Sequence, residues 1–179
     1  MKILVTGATG FIGSHLVENL LERGYDTSVL VRSPTTQRRY RLSWLNEGRA
    51  KVFHGDVTDA SKVEEAVKGA DVVFHLAALL GRWGIPEQQY FRVNVFGTQV
   101  VLKQSAKANV DQVIYLSSTG VMGRLKSIPG DVSDPCNPTT PYERSKYQAE
   151  LLVRRGITEE HIPATVVRST HVYGPRDPN

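Results

Sequence analysis

A single cysteine, Cys136, occurs in 179 residues, so no internal disulfide can form and a cytoplasmic setting is expected. It lies in a proline-rich stretch with no histidine nearby, which reads against a catalytic thiol. No apolar run approaches the ~18 residues of a membrane helix, so no membrane partner is expected. The first strand candidate begins at residue 2, so no signal peptide is expected. Sequence repeats and low-complexity tracts are lacking, and no set of metal ligands is read. Excess charge is modest, at +4 with a pI near 9.3. Arg38, Arg39 and Arg41 form the one local basic cluster, which could serve nucleic acid, an anionic cofactor or solubility alone; a solvated helix face is the favoured reading, and without a nucleic-acid-binding motif around it no nucleic-acid partner is expected. What is present is ordinary for a soluble globular chain: 40% hydrophobic and 22% charged residues. This length suits one domain that buries roughly 70% of its unfolded surface.

Apolar, β-branched runs alternate with helical patterns from end to end. Strands are expected over 2–6, 27–31, 51–54, 71–76, 112–116 and 164–168, and helices over 11–23, 36–46, 60–68, 87–108 and 142–155. Such alternation predicts an α/β fold, a doubly wound parallel sheet in the order 3-2-1-4-5-6. Residues 128–141 hold four prolines, a glycine and two aspartates and read as one long loop. Ligands of such a sheet bind beyond the carboxyl ends of its strands, and the polar candidates collect there.

Between the first strand and first helix lie Gly7, Gly10 and Gly13, spaced G-x-x-G-x-x-G. Strand, glycine turn and helix is the context in which backbone can approach a diphosphate and a helix N-terminus can face it. By itself the turn could simply be tight. The second strand ends at Arg32, with no acid beside it, so an arginine stands where an acid would hold a ribose 2′-OH. Arg32 therefore reads either as a contact for the 2′-phosphate of NADP or as a solvated strand-end charge. Asp56 suits an adenine amino group or a plain turn, and Ala77 and Ala78 are small enough for a ligand to lie against them.

Tyr142 and Lys146 stand four apart on a helix and so face the same way. Bringing a phenol from its usual pKa near 10 to neutrality takes about 4 kcal/mol. An ammonium ~4 Å away supplies about that much at an effective dielectric of ~20 and only ~1 kcal/mol in bulk water. The pair is therefore expected to do acid/base work only in a partly dried cleft, with Ser118 orienting the substrate oxygen. As a bare pattern, Tyr-x-x-x-Lys usually marks an exposed helix face; the glycine turn and the Ser117-Ser118 strand end make it specific.

Taken in order, Thr6-Gly7-Ala8-Thr9-Gly10-Phe11-Ile12-Gly13, Gly55-Asp56-Val57-Thr58-Asp59, His75-Leu76-Ala77-Ala78, Asn94-Val95-Phe96-Gly97-Thr98, Leu116-Ser117-Ser118, Tyr142 to Lys146 and Arg168 to Pro175 resemble the extended short-chain dehydrogenase/reductases, the NAD(P)-dependent epimerase/dehydratase family. The resemblance covers essentially the whole chain and implies a Rossmann-like NAD(P)-binding domain. It implies Ser118, Tyr142 and Lys146 as catalytic residues, with Tyr142 the acid/base and Lys146 binding the nicotinamide ribose and lowering the phenol's pKa. Cofactor contacts are expected at Gly7, Thr9, Gly10, Phe11, Ile12, Gly13, Arg32, Asp56, Val57, Leu76, Ala77, Ala78, Tyr142, Lys146 and His171. Substrate contacts are expected at Leu80, Trp83, Ser118 and Thr119. The cofactor is then NADP or NAD, with Arg32 favouring NADP. Asn94 is expected to anchor its helix against the neighbouring strand near the site.

The implied reaction moves a hydride between nicotinamide and a secondary alcohol or ketone, foremost in a sugar-nucleotide epimerase or dehydratase. Met122 replaces a tyrosine common in the family, and His171 stands where many sugar-nucleotide enzymes place a substrate-binding asparagine. The apolar segment 79–84, with Leu80 and Trp83, resembles instead reductases of hydrophobic alcohols of the hydroxysteroid or dihydroflavonol type, although Trp83 could merely pack the loop down. A non-catalytic NAD(P)-binding module is the third possibility. Members continue past Val-Tyr-Gly-Pro into a smaller helical domain, so residues 1–179 are expected to form the cofactor domain without a complete second one. Helices 87–108 and 142–155 are the pair expected to form a homodimer.

Overall fold

Strand β1, Lys2–Thr6, is apolar at every position from Ile3 to Val5, and the architecture explains why. In the computed structural model, which describes residues 1–32, 47–125 and 128–177, this strand lies inside a parallel sheet and is buried on both faces. Ile3 and Val5 pack on one side with Val17 and Leu20. Leu4 packs on the other side with Val63, Val101, Val113 and Val153. Alternate side chains feed opposite cores, so a continuous apolar run is what a central parallel strand requires.

The remaining elements follow in chain order. Helix α1 is Phe11–Glu22, then come strands β2, Asp26–Val31, and β3, Lys51–His54. Helix α2 is Ala60–Val67 and strand β4 is Val72–His75. Helix α3 is a continuous run of α-helical Glu87–Tyr90, π-helical Phe91–Phe96 and α-helical Gly97–Lys107. Strand β5 is Gln112–Ser118, followed by a 3₁₀ turn at Thr119–Met122. Helix α4 is Pro141–Glu159 and strand β6 is Ala164–Ser169. The six strands lie in the order β3-β2-β1-β4-β5-β6, every pair parallel, as the alternation of patterns predicts.

Several boundaries differ from the sequence reading. The helix expected over 87–108 is one run but not one helix type, because its middle widens into a π turn. Strand β5 continues to Ser118, held by β6 through Ser118↔Ser169. Helix α4 begins at Pro141 because Thr140 and Glu143 form a reciprocal capping box with proline in the first turn. The helix expected over 36–46, with Arg38, Arg39 and Arg41, lies outside the described residues. Among the described residues no helix is long and apolar enough to cross a membrane.

The register aligns the carboxyl ends that matter. Thr6 pairs with Leu30 on one side and His75 on the other, and His75 pairs with Tyr115. The turn after β1, the segment after β4 and the end of β5 therefore open on one edge.

Candidate active site

The glycine turn is built by close approach. Gly7 adopts φ +73°, and a Cβ there would lie 2.6 Å from the Ala77 amide nitrogen. A Cβ at Gly13 would run into the Gly7 carbonyl oxygen. The two positions thus require glycine for different reasons: Gly7 for its conformation and for the backbone just after β4, Gly13 so that α1 can sit on the turn. Gly10 donates to the Gly7 carbonyl at 2.9 Å and precedes α1 with no side-chain cap, leaving helix N–H groups at an open lip. Gly10 is exposed, and Thr9, Phe11 and Ile12 are half-buried around it. A cradle that Cβ atoms would fill, at an uncapped helix start, fits a dinucleotide diphosphate.

Behind the turn runs a buried polar chain whose protons can all be assigned. The Ala77 amide donates to Thr6 Oγ1 at 3.2 Å, and Thr98 Oγ1 donates to the Asn94 carbonyl at 2.6 Å. With its proton so committed, Thr98 Oγ1 accepts from His75 Nε2 at 3.0 Å, which leaves His75 Nδ1 to accept from Thr6 Oγ1 at 2.8 Å. His75 is therefore neutral with its proton on Nε2. Burial, aided by the charge of Lys146, pushes its pKa down to about 3.

The same chain reaches Asn94 in the π turn. Its side chain accepts from the Leu79 amide at 2.7 Å and donates to the Leu79 carbonyl and to Ser145 Oγ at 3.1 and 2.8 Å. Ser145 Oγ in turn donates to the Tyr142 carbonyl at 2.7 Å. Asn94 thus anchors α3 to the segment after β4 and to the first turn of α4, and not to a strand as expected.

Ser118, Tyr142 and Lys146 come together above this frame. Ser118 Oγ accepts from the Gly120 amide at 3.1 Å, and Ser118 lies near enough to the Tyr142 hydroxyl to act on its pKa. Burial raises the Tyr142 pKa, with Ser118 opposing and the Glu143 charge adding to the rise. Lys146 is buried, donates from Nζ to the Leu116 carbonyl at 2.7 Å, and lies 4.3 Å from the Tyr115 ring centroid. Burial pushes its pKa down to about 7, against the pull of Glu150. The expected lowering of the phenol by Lys146 is therefore not what this geometry produces. The drying that would strengthen a charge pair first strips water from the phenolate itself, and the ammonium is engaged on β5.

The other expected contacts are placed unevenly. Asp56 Oδ1 takes the Thr58 amide and hydroxyl at 2.9 and 2.8 Å, so one carboxylate oxygen shapes a turn. Val57 is a core residue against which a Cβ at Gly97 would press. Leu76 and Ala77 pack on opposite cores beside the glycine turn, and Ala78 is half-buried. Arg32 and His171 are exposed at the ends of β2 and β6. Leu80 and Trp83 are exposed, Trp83 completely, so Trp83 does not pack its loop down. Tyr90 does that work, with its hydroxyl donating to the Arg82 carbonyl and accepting from the Arg82 amide at 3.0 and 2.9 Å. The loop passes close to Tyr142: a Cβ at Gly81 would lie 3.6 Å from the Tyr142 Cβ. Thr119 is half-buried in the turn after Ser118.

Sequence reasoning missed the Thr6–His75–Thr98 chain, since nothing in spacing links residues of β1, β4 and α3. It also missed a clasp in which Arg176 pairs with Glu18 at 2.6 and 2.7 Å and donates to His15 Nδ1 at 2.6 Å. His15 Nε2 then donates to the Pro175 carbonyl at 2.9 Å. This clasp ties the segment after β6 to α1.

A family model described as the NAD dependent epimerase/dehydratase family matches residues 3–179. A putative UDP-glucose 4-epimerase of Methanocaldococcus jannaschii is 33% identical over 97% of this chain and 57% of its own length. A dTDP-D-glucose 4,6-dehydratase of Mus musculus is 32% identical over 97% of this chain and 51% of its own. Among solved structures, the UDP-glucuronic acid 4-epimerase of Bacillus cereus in complex with NAD superposes with a TM-score of 0.86, at 34% identity over 99% of this chain and 58% of that one. The chain thus spans about half the length of the relatives it matches.

Proposed function

Because the chain belongs to the NAD-dependent epimerase/dehydratase family, we propose that it carries the cofactor-binding and proton-transfer portion of an NAD(P)-dependent enzyme acting on a secondary alcohol or ketone, foremost a sugar-nucleotide epimerase or dehydratase. The observation that supports this reading is the meeting of Ser118, Tyr142 and Lys146 at the sheet edge that also holds the glycine cradle. Gly7, Gly10, Gly13 and the start of α1 would hold the diphosphate, Asp56 the adenine, and Tyr142 with Lys146 the nicotinamide ribose. Bound there, the dinucleotide supplies the hydride acceptor or donor. The chain's own part is the proton. With its pKa raised, the Tyr142 phenol holds its proton at neutral pH and is set to give it to a carbonyl oxygen that Ser118 orients. In the reverse direction the alcohol's proton returns to the Tyr142 phenolate that such a donation leaves, with Lys146 one helical turn away as the neighbouring cation.

Replacing Tyr142 by Phe is expected to lower turnover of UDP-glucose or dTDP-glucose by about 10²–10⁴-fold, with the NAD(H) dissociation constant moving by no more than about twofold. Turnover unchanged in Tyr142→Phe would overturn the assignment. A wild-type protein that binds dinucleotide and turns over nothing would favour the non-catalytic module instead. The exposure of Leu80 and Trp83, in the loop whose Gly81 approaches Tyr142, favours one second reading, a hydroxysteroid- or dihydroflavonol-type reductase; oxidation of an apolar secondary alcohol in place of the sugar nucleotides would support it.

Arg32 supports a preference for NADP over the NAD carried by the solved relative. In Arg32→Asp, NADP(H) binding is expected to weaken about tenfold or more, the loss of one charge-assisted contact, while NAD(H) binding holds. Equal losses for both cofactors would refute a 2′-phosphate contact. The lone cysteine supports a cytoplasmic location.

A further inference from the structure

Helix α4 carries two buried charges one turn apart, Lys146 and Glu150, exposed by 3% and 0%. Consecutive residues at the end of β5 receive them. Lys146 Nζ donates to the Leu116 carbonyl, and Ser117 Oγ donates to Glu150 Oε2, both at 2.7 Å. The next residue is Ser118. From β6, Arg168 stands opposite Ser117 in register and donates to Glu150, most closely from Nη2 at 2.7 Å. Its guanidinium also donates to the Val132 carbonyl and to Cys136 Sγ at 3.2 Å, both in the loop that leads into Tyr142. Arg154, half exposed, adds a bond at 2.9 Å. One carboxylate therefore gathers the chain segments that end in Ser118, Tyr142 and Lys146.

A buried ion pair gains little stability over well-packed apolar side chains, so this cluster needs another account. We propose that Glu150 is a positioning residue of the site: clamped by Arg168, its carboxylate holds the end of β5 and the 128–141 loop in register with α4 and keeps the Lys146 ammonium protonated. The assignment rests on the reading of Lys146 given above. Lys146 is faced by Tyr115 from β5, His75 from β4 and Glu150 from its own helix, with Tyr142 one turn before it on the same helix. Of these, His75 is neutral and both phenols keep their protons, so Glu150 is the anion of the group. Glu150 is itself faced by Ser117 from β5, Arg168 from β6, Arg154 from α4 and, behind Arg168, Cys136 from the loop. Burial would raise its carboxyl, but the bonds from Arg168, Ser117 and Arg154 outweigh burial and hold it below its ordinary value.

The test reads the lysine directly. In protein labelled with ¹³C-lysine, the Lys146 resonance is identified by its loss in Lys146→Arg and titrated against pH. Glu150→Gln, which keeps the shape, is expected to lower the midpoint by about one pH unit or more. Ser117→Ala, which keeps the charge, is expected to leave it in place. An unchanged midpoint in Glu150→Gln, or an equal fall in Ser117→Ala, overturns the proposal. Should Glu150→Gln not fold, Glu150→Asp decides: a midpoint lowered by the shorter stem supports the proposal, and a wild-type midpoint overturns it. Because no turnover enters the readout, it stands or falls separately from the Tyr142→Phe measurement.

Discussion

His75 shows how much one buried ring can report. Its native pKa of about 3 lies below the ordinary value of 6.5, so the folded state stays neutral where the unfolded chain takes a proton. The stability it contributes is complete above pH 6.5 and is lost as pH falls from there toward 3. Between pH 7 and 4.5 this amounts to about 2–3 kcal/mol. Urea unfolding at those two values should show wild type losing that much more than His75→Gln; equal losses would mean that the ring is not held neutral. His75 was legible in the sequence only as a letter of a motif, because its role comes from Thr6 and Thr98, which lie 69 and 23 residues away. Tyr142 and Lys146 were legible by spacing, since four residues on a helix always share a face. The sign of the Tyr142 shift was not, because it depends on how much water the fold removes and on where the ammonium points.

Elements divide along the same line. The start of α4 follows from local chemistry, with Thr140, Pro141 and Glu143 supplying a cap that needs no distant partner. The π turn of α3 has no such local signal. Within Phe91–Phe96, Asn94 is engaged by Leu79 and Ser145, 15 and 51 residues away, and such turns collect at functional positions. Strand β5 outran its apolar pattern for a related reason: Ser117 and Ser118 are polar, yet both continue the ladder with β6. Polar residues at a strand's carboxyl end read as loop in sequence and as active-site edge in the fold.

At the scale of the molecule, strand order was legible from the alternation alone, because right-handed crossovers leave few ways to wind such a sheet. Assembly was not, and it remains a matter of surface: α3 exposes Phe96 by 48% and α4 exposes Leu151 by 39%. We predict a homodimer through these two helices, which sedimentation at tens of micromolar should detect and which Leu151→Glu should shift toward monomer; a monomeric wild type would refute it. The sheet order has a kinetic corollary. Strand β1 is made before both of its neighbours and takes its place between β2 and β4, so one of its edges waits for Val72–His75. At synthesis rates of ~5–20 residues per second, that edge stays unpaired for about 4–14 s on the ribosome. For that interval the nascent chain holds an open strand edge that is apolar from Ile3 to Val5, the kind of surface that chaperones cover and that aggregation recruits.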